Sequence, residues 1–144
     1  QLGHDEQAAA ECAASIRLAP RSAQAHYSYG AFLEKHGKVD EAIAQYREAL
    51  QSDARLVDAH IDLGSLLLDK GDVAEAKNHF QKASNLNPKL AQPHNYLGKV
   101  FMREGDVDHA VLQFQEALRL HPDFPEAEEN LRIAKQSEMT NGRE

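Results

Sequence analysis

Glycine recurs along this chain at intervals of 34 residues, and this spacing constrains the fold more than any other feature. The first series comprises Gly30, Gly64 and Gly98, and the second comprises Gly3, Gly37, Gly71 and Gly105. Seven of the eight glycines therefore fall on one lattice. Such a lattice indicates a tandem array of one structural unit.

Aromatic and alanine residues follow the same period. The aromatic residues are Tyr46, Phe80 and Phe114, each with an alanine four residues before it and another three residues after it. Apolar residues three and four apart predict amphipathic helices. We therefore expect two helices in each 34-residue unit, separated by the second glycine series.

The pattern resembles the tetratricopeptide repeat, which has the consensus W-x2-L-G-x2-Y, A-x3-F and a closing proline over 34 residues. The opening tryptophan is the one steady departure, because His26, His60 and His94 stand in its place. The resemblance implies an all-α fold, a right-handed superhelical solenoid of antiparallel helix pairs. It also implies that the first helices of the repeats line a concave groove.

The lattice also sets the expected boundaries. We predict a single array over residues 1–138, made of a half-repeat at 1–22, repeats at 23–56, 57–90 and 91–124, and a capping helix at 125–138. A polar tail is expected at 139–144. The predicted helices of the array cover 4–18, 23–36, 39–51, 57–70, 73–86, 91–104 and 107–120, with Gly3 in a turn. The missing initial methionine and the opening half-repeat lead us to expect a segment of a longer protein.

Local signals support these helices. Asp72 followed by Glu75 is a capping-box pattern, and Asp106 is placed to cap in the same way. Glycine inside a helix costs about 1 kcal/mol relative to alanine. The first glycine series therefore predicts that a paired helix approaches too closely to admit a Cβ atom.

Composition excludes several classes of function. The formal net charge is −7 and the basic residues are scattered, which argues against a nucleic-acid partner. No apolar stretch approaches the ~18 residues of a membrane span, so no membrane insertion is expected. The single cysteine, Cys12, excludes an internal disulfide and a multi-cysteine zinc site, and it favours a reducing, cytoplasmic compartment.

No sequence motif indicates an enzyme or a cofactor. Cys12 occupies an aromatic position of the repeat and is predicted to be a small buried filler. The three repeat histidines are expected about 10 Å apart, one helix spacing, whereas zinc–nitrogen bonds are about 2.0–2.1 Å. We therefore predict that they fill the tryptophan slot and bind no metal. Asp58, Asp62 and Asp69 are interpreted as a solvated face.

The resemblance implies that positions 2, 5, 9, 12 and 13 of each repeat line the groove. The predicted partner-binding residues are Tyr27, Ala31, Ile61, Ser65, Leu68, Asn95, Lys99, Met102 and Arg103. Tyr27, Ile61, Leu68 and Met102 are expected to form an apolar strip, and Lys99 and Arg103 a basic pair that takes a carboxylate. The alternative is that neighbouring helices cover Ile61 and Leu68 and that the cations pair with nearby acids.

The function predicted on this basis is a protein-interaction scaffold that binds a peptide or helix in the groove. A carboxylate clamp for chaperone C-termini is not expected, because Tyr27, Ala31, Asp62, Gln92 and Tyr96 replace its residues. One alternative is an accessory arm of a larger enzyme such as a glycosyltransferase, since the repeats are similar in style to that family's array. That family's asparagine ladder is matched only at Asn130. A third hypothesis is self-association through the N-terminal helix.

Overall fold

The computed structural model describes residues 2–141, with side chains for residues 7–140, and contains eight α-helices and no strand within that range. The helices are α1 (Leu2–Leu18), α2 (Ala23–Lys35), α3 (Val39–Ser52), α4 (Val57–Lys70), α5 (Val73–Leu86), α6 (Ala91–Glu104), α7 (Val107–Leu120) and α8 (Pro125–Asn141). The chain divides into two compact units at Leu66 and Leu67, within α4. The all-α prediction is confirmed.

Helix boundaries follow the 34-residue lattice closely. The four helices from α4 to α7 begin and end where the sequence predicts, and α2 and α3 differ from prediction by one residue. The prediction for Gly3 was wrong, because α1 begins at Leu2 and Gly3 lies inside it. A turn glycine closes a preceding helix, and the described residues contain no helix before α1 for Gly3 to close.

In the first compact unit, α2 packs against α3 and α1 packs against α2. The α2–α3 core consists of Leu33 from α2 and Ala42, Tyr46 and Ala49 from α3, all at most 1% exposed. These are the leucine, aromatic and alanine positions of the repeat. The periodic residues are therefore the ones that form the core.

In the second compact unit, α6 packs against α5 and α7, and α8 packs against α7. Ala110, Val111 and Phe114 of α7 form one buried cluster with Ala134 of α8. Leu131 adds to this cluster and is partly buried. The helix predicted as a cap thus covers α7 with Leu131 and Ala134, whereas Ile133 of the same helix is 42% exposed.

The two glycine series meet different physical requirements. A Cβ atom on Gly98 would lie within 2.7 Å of three carbons of the Phe114 ring, and one on Gly30 would lie 2.7 Å from two carbons of Tyr46. At both positions the predicted close approach is confirmed. Gly105, of the turn series, has a φ of 78° and open space around it, so its role is to adopt the left-handed conformation that ends α6.

The two predicted aspartate caps behave differently. The Asp106 carboxylate accepts from the backbone N–H of His109 at 3.2 Å, which confirms this cap. The prediction for Asp72 was wrong, because its side chain makes no capping hydrogen bond. Asp106 has a second contact that Asp72 lacks in sequence: its carboxylate lies 2.8 Å from His109 Nδ1, whereas the residue three positions after Asp72 is Glu75.

Helix α8 continues to Asn141, beyond the predicted end at 138. Two polar side chains near this end bond back to carbonyls of the helix. Ser137 Oγ donates to the carbonyl of Ile133 at 3.1 Å, and Thr140 Oγ1 donates to that of Ser137 at 2.9 Å. Such local bonds are compatible with a helix when the hydroxyl reaches a carbonyl three or four residues earlier. Residues 142–144 of the predicted tail lie outside the described residues.

Candidate functional site

Among the five predicted groove positions, the second and the thirteenth are exposed in every full repeat. Gln24, Asp58 and Gln92 are the three residues at the second position, and all are exposed. Lys35, Asp69 and Arg103 are the three at the thirteenth position, and all are exposed as well. These two rows of polar residues therefore recur once per repeat on the surface, whereas the leucine, aromatic and alanine positions of the repeat are buried in the core.

The residues predicted to form an apolar strip are less accessible than expected. Ile61 is 3% exposed and Leu68 is 1% exposed, whereas Tyr27 and Met102 are partly buried. The burial of Ile61 and Leu68 agrees with the alternative in which neighbouring side chains cover both. The expectation of a continuous exposed strip was therefore wrong, because these two aliphatic side chains belong to the core.

Three further predicted residues lie at intermediate depth or deeper. Ala31 and Ser65 are partly buried, and Asn95 is 1% exposed. Asn130 Nδ2 donates to Asn95 Oδ1 at 3.0 Å, so this amide pair joins α6 to α8. Asn130 is the residue that matches the asparagine ladder of the glycosyltransferase arrays, and in this chain its side chain makes a contact within the fold.

The predicted basic pair already has intramolecular partners. Lys99 Nζ donates to Glu126 Oε1 at 3.1 Å and lies 5.0 Å from the centre of the Tyr96 ring. Arg103 Nη1 donates to the carbonyl of Leu68 at 2.5 Å, at the C-terminal end of α4. The two cations are thus directed to different partners. The Lys99 contact agrees with the alternative in which the cations pair with nearby acids, and Arg103 pairs with a backbone carbonyl instead.

A tyrosine–carboxylate network in the first compact unit was missed by the sequence reasoning. Tyr27 donates its hydroxyl proton to Asp62 Oδ2 at 2.9 Å, and Tyr46 donates to Glu34 Oε2 at 2.5 Å. The two phenol rings lie 5.7 Å apart between centres. Tyr27 and Glu34 both occupy groove positions. In this network each already has a hydrogen-bond partner within the first compact unit, Asp62 for Tyr27 and Tyr46 for Glu34. The available signal was the 35-residue separation of Tyr27 and Asp62, one repeat plus one residue.

The environment of Asp62 disfavours its charged form. The pKa of Asp62 is raised to about 6, chiefly by burial; the Tyr27 hydrogen bond lowers it, and the charges of Glu34 and Asp58 add to the increase. Burial likewise raises the pKa of Tyr27 and of Tyr46, and the hydrogen bonds to Asp62 and Glu34 add to the effect. The tyrosines are neutral donors, and the carboxylates of Glu34, Asp58 and Asp62 repel additional negative charge.

Replacing Asp62 by asparagine is expected to raise the free energy of unfolding at about pH 7.5 by roughly 1–2 kcal/mol, allowing for its partial exposure. The folded-state pKa of about 6 lies above the unfolded value of 3.8, so the wild-type chain loses stability as the pH rises between those values. Asparagine carries no charge to desolvate. Urea unfolding followed by circular dichroism at about pH 3.5 and 7.5 measures the difference.

At about pH 3.5 the Asp62→Asn and wild-type proteins are expected to agree within about 0.5 kcal/mol. Asp69→Asn is the matched control, because Asp69 is exposed on the same helix and is not among the groups that shift the pKa of Asp62. A variant at Asp62 that is less stable than wild type at about pH 7.5 would show that the carboxylate is stabilised, not penalised, by its surroundings.

The repeat histidines are held by protein acceptors. His26 Nδ1 lies 2.8 Å from Gln45 Oε1 and His26 Nε2 lies 3.1 Å from the carbonyl of Pro20. His94 Nδ1 lies 2.9 Å from Gln113 Oε1. Among residues 7–140, no group of three metal-ligating side chains is close enough to hold an ion. The imidazoles act as packing groups with polar anchors.

Two further features of the described residues bear on function. Cys12 is only partly buried, so the prediction of a buried filler was wrong. It lines a cavity of about 500 Å³ together with other residues of α1 and α2, among them Ala8, Glu11 and Gln24. The thiol is too small to fill the space that an aromatic ring fills in later repeats. No helix in the described part of the chain has the length and apolar character needed to cross a membrane.

Two sequence-family models match the chain. A model described as TPR repeat matches residues 35–71 and 64–105, and a model described as tetratricopeptide repeat matches residues 91–124. Together they cover residues 35–124, more than half of the chain. No curated protein sequence matches.

Solved structures with similar folds include a MamA protein, with 20% identity and a TM-score of 0.86 over 94% of this chain and 74% of that one. The Pseudomonas aeruginosa pilF protein gives 25% identity and a TM-score of 0.85, over 97% of this chain and 64% of that one. The first TPR of Spaghetti (RPAP3), bound to the HSP90 peptide SRMEEVD, gives 23% identity and a TM-score of 0.77, over 81% of this chain and 92% of that one.

Proposed function

Because this chain belongs to the tetratricopeptide repeat family, we propose that it is a non-catalytic interaction scaffold whose first-helix faces hold a peptide segment of a partner protein. The observation that carries the proposal is the exposure of the second and thirteenth positions on α2, α4 and α6. Except for Arg103, which bonds to the carbonyl of Leu68, these polar side chains make no hydrogen bond to another helix among the described residues, so they are available to a partner. The peptide in the similar RPAP3 structure supports the same general mode of binding.

The proposed partner is not an acidic C-terminal peptide of the SRMEEVD kind. Tyr27 and Asp62 bond to each other at 2.9 Å, and the nearby carboxylates of Glu34 and Asp58 raise the pKa of Asp62. A second carboxylate brought to this network would be repelled. We therefore propose that the first compact unit selects neutral or basic segments.

The test is selection of binders from a random peptide library, followed by calorimetry with the selected peptides and with SRMEEVD as a comparison. Asp58→Lys is expected to weaken binding of the selected peptides about tenfold, because an interface side chain is reversed in charge. Glu48→Lys is the matched control, since Glu48 is exposed on α3, a second helix, and bears the same change. Its effect is expected to be less than about twofold.

SRMEEVD itself is expected to show no measurable heat of binding. Equal losses of affinity for Asp58→Lys and Glu48→Lys would indicate a general charge effect and would count against the proposed face. A library that yields no binder would reject the scaffold proposal as a whole.

A further inference from the structure

Ser84, in the second compact unit, occupies an apolar position of the repeat. The equivalent residues of the other units are Ile16, Leu50 and Leu118. A serine side chain is much smaller than any of these, and Ser84 lines a cavity of about 340 Å³ formed by residues of α5, α6 and α7. The Ser84 hydroxyl is therefore placed at a cavity, at a position where packing favours an aliphatic residue.

His94 has a different hydrogen-bond partner from the histidines of the first two repeats. At His26 and His60 the Nε2 atom lies 3.1 Å from a backbone carbonyl oxygen. At His94 the Nε2 atom lies 3.2 Å from the Ser84 hydroxyl oxygen. A carbonyl has no proton to give, whereas a hydroxyl does. Only in the third repeat, therefore, does the histidine Nε2 atom face a group from which it can accept a proton.

Gln113 orients the His94 ring. His94 Nδ1 donates to Gln113 Oε1 at 2.9 Å, and a neutral imidazole carries one N–H, so the lone pair of Nε2 faces Ser84. Ser84, His94 and Gln113 all line the same cavity. A hydroxyl, a histidine base and a third group that holds the histidine form the arrangement that activates a serine as a nucleophile.

The other walls of the cavity fit a short, uncharged acyl group. Leu97 and Phe101 of α6 form its apolar part. Gln81 and Asn85, both exposed, lie on the same helix as Ser84 and bring side-chain amide N–H groups to the cavity. Amide donors of this kind stabilise the negative charge that develops on an acyl oxygen under attack. None of the described residues that line the cavity is Asp, Glu, Lys or Arg.

We propose that Ser84 is a modification site that accepts a short acyl group from an activated acyl ester, with His94 as the base and Gln113 as a positioning residue. Ser84 Oγ forms a bond to the acyl carbon while the bond from that carbon to the leaving oxygen breaks. The hydroxyl proton passes to His94 Nε2 and then to the leaving oxygen. Gln113 is neutral and gives no countercharge to the imidazolium, so one lasting acyl group per chain is expected, without turnover. This inference goes beyond the proposed function and does not depend on it.

The test is incubation of the chain with p-nitrophenyl acetate, followed by digestion and mass spectrometry of the acetylated peptides over time. Ser84 is expected to be acetylated at least about tenfold faster than Ser52, an exposed serine at the end of α3 that serves as the internal reference. His94→Gln removes the base and is expected to lower the rate at Ser84 to that at Ser52.

A second variant separates the chemistry from packing. Gln113→Glu keeps an acceptor for His94 Nδ1 and adds the missing countercharge, so it is expected to raise the rate at Ser84 at least about threefold. Gln45→Glu is the matched control, because Gln45 Oε1 lies 2.8 Å from the Nδ1 atom of His26 at the same position of the first repeat. It is expected to leave the rate at Ser84 unchanged.

Two results would overturn the inference. One is acetylation of Ser84 in the wild-type chain no faster than that of Ser52. The other is an equal rate at Ser84 in the wild-type and Gln113→Glu chains, or in the wild-type and His94→Gln chains, when their circular dichroism spectra match. Either result leaves the proposed function as it stands, because peptide binding is measured separately.

Discussion

Replacing Leu68 by glutamate is expected to lower the free energy of unfolding by about 4 kcal/mol and to unfold much of the population at 37 °C. Leu68 is 1% exposed, so the new carboxyl group would have to be buried without a prepared partner, and the apolar contacts of leucine would be lost as well. Urea unfolding monitored by circular dichroism at about pH 7.5 measures the loss.

Leu112→Glu provides the matched comparison, since it is the same change at a leucine that is 58% exposed on α7. Its expected effect lies within about 0.5 kcal/mol. A Leu68→Glu protein that unfolds at the wild-type urea concentration would show that the side chain is accessible and would return Leu68 to the candidate binding residues. Because Leu68→Glu is expected to unfold the chain, a loss of partner binding by this variant is not evidence that Leu68 contacts the partner.

Gly98→Ala is expected to lower the free energy of unfolding by about 2 kcal/mol. Alanine is the better helix former by about 1 kcal/mol, but its Cβ would lie within 2.7 Å of three carbons of the Phe114 ring. Phe114 is 1% exposed and surrounded by packed side chains, so the ring has little room to move. Overpacking of this kind costs about 1–3 kcal/mol or more and outweighs the gain in helix propensity.

Two companion variants separate crowding from backbone strain. Gly105→Ala is expected to cost only about 1 kcal/mol, because its φ of 78° is strained for alanine while the surrounding space is open. Phe114→Leu removes the ring that the new Cβ would crowd, so it is expected to reduce the destabilisation caused by Gly98→Ala. The expected coupling free energy in a double-mutant cycle is at least about 1 kcal/mol. Additive effects of Gly98→Ala and Phe114→Leu would contradict a direct contact.

The fold was largely predictable because the same pattern of glycine, aromatic and alanine residues recurs in each repeat. The 34-residue lattice located six of the eight helices to within one residue, and the aromatic and alanine positions identified the buried faces. Local competition between side chains was less visible. Asp72 and Asp106 look equivalent in sequence, yet only Asp106 caps its helix, and its carboxylate also contacts the ring of His109.

The candidate site was predictable only in part, for a physical reason. The position of a residue within the repeat predicts that it lies on the first helix. How deeply its side chain is buried depends on the size of the side chains that pack around it. Ile61 is buried whereas Tyr27, at the same repeat position, keeps part of its ring accessible and bonds to Asp62. Arg103 donates to a backbone carbonyl of α4. Because the acceptor is a backbone atom, the spacing of charged residues in the sequence could not predict this contact.

The anchoring of the repeat histidines explains how imidazole can replace indole in this architecture. At His26 and His60 the Nε2 atom faces a carbonyl oxygen, of Pro20 and Ala54 respectively. A carbonyl only accepts, so both rings must carry their proton on Nε2, which fixes one tautomer. Indole likewise offers a single ring N–H. The position therefore requires a flat ring with one ring N–H to donate.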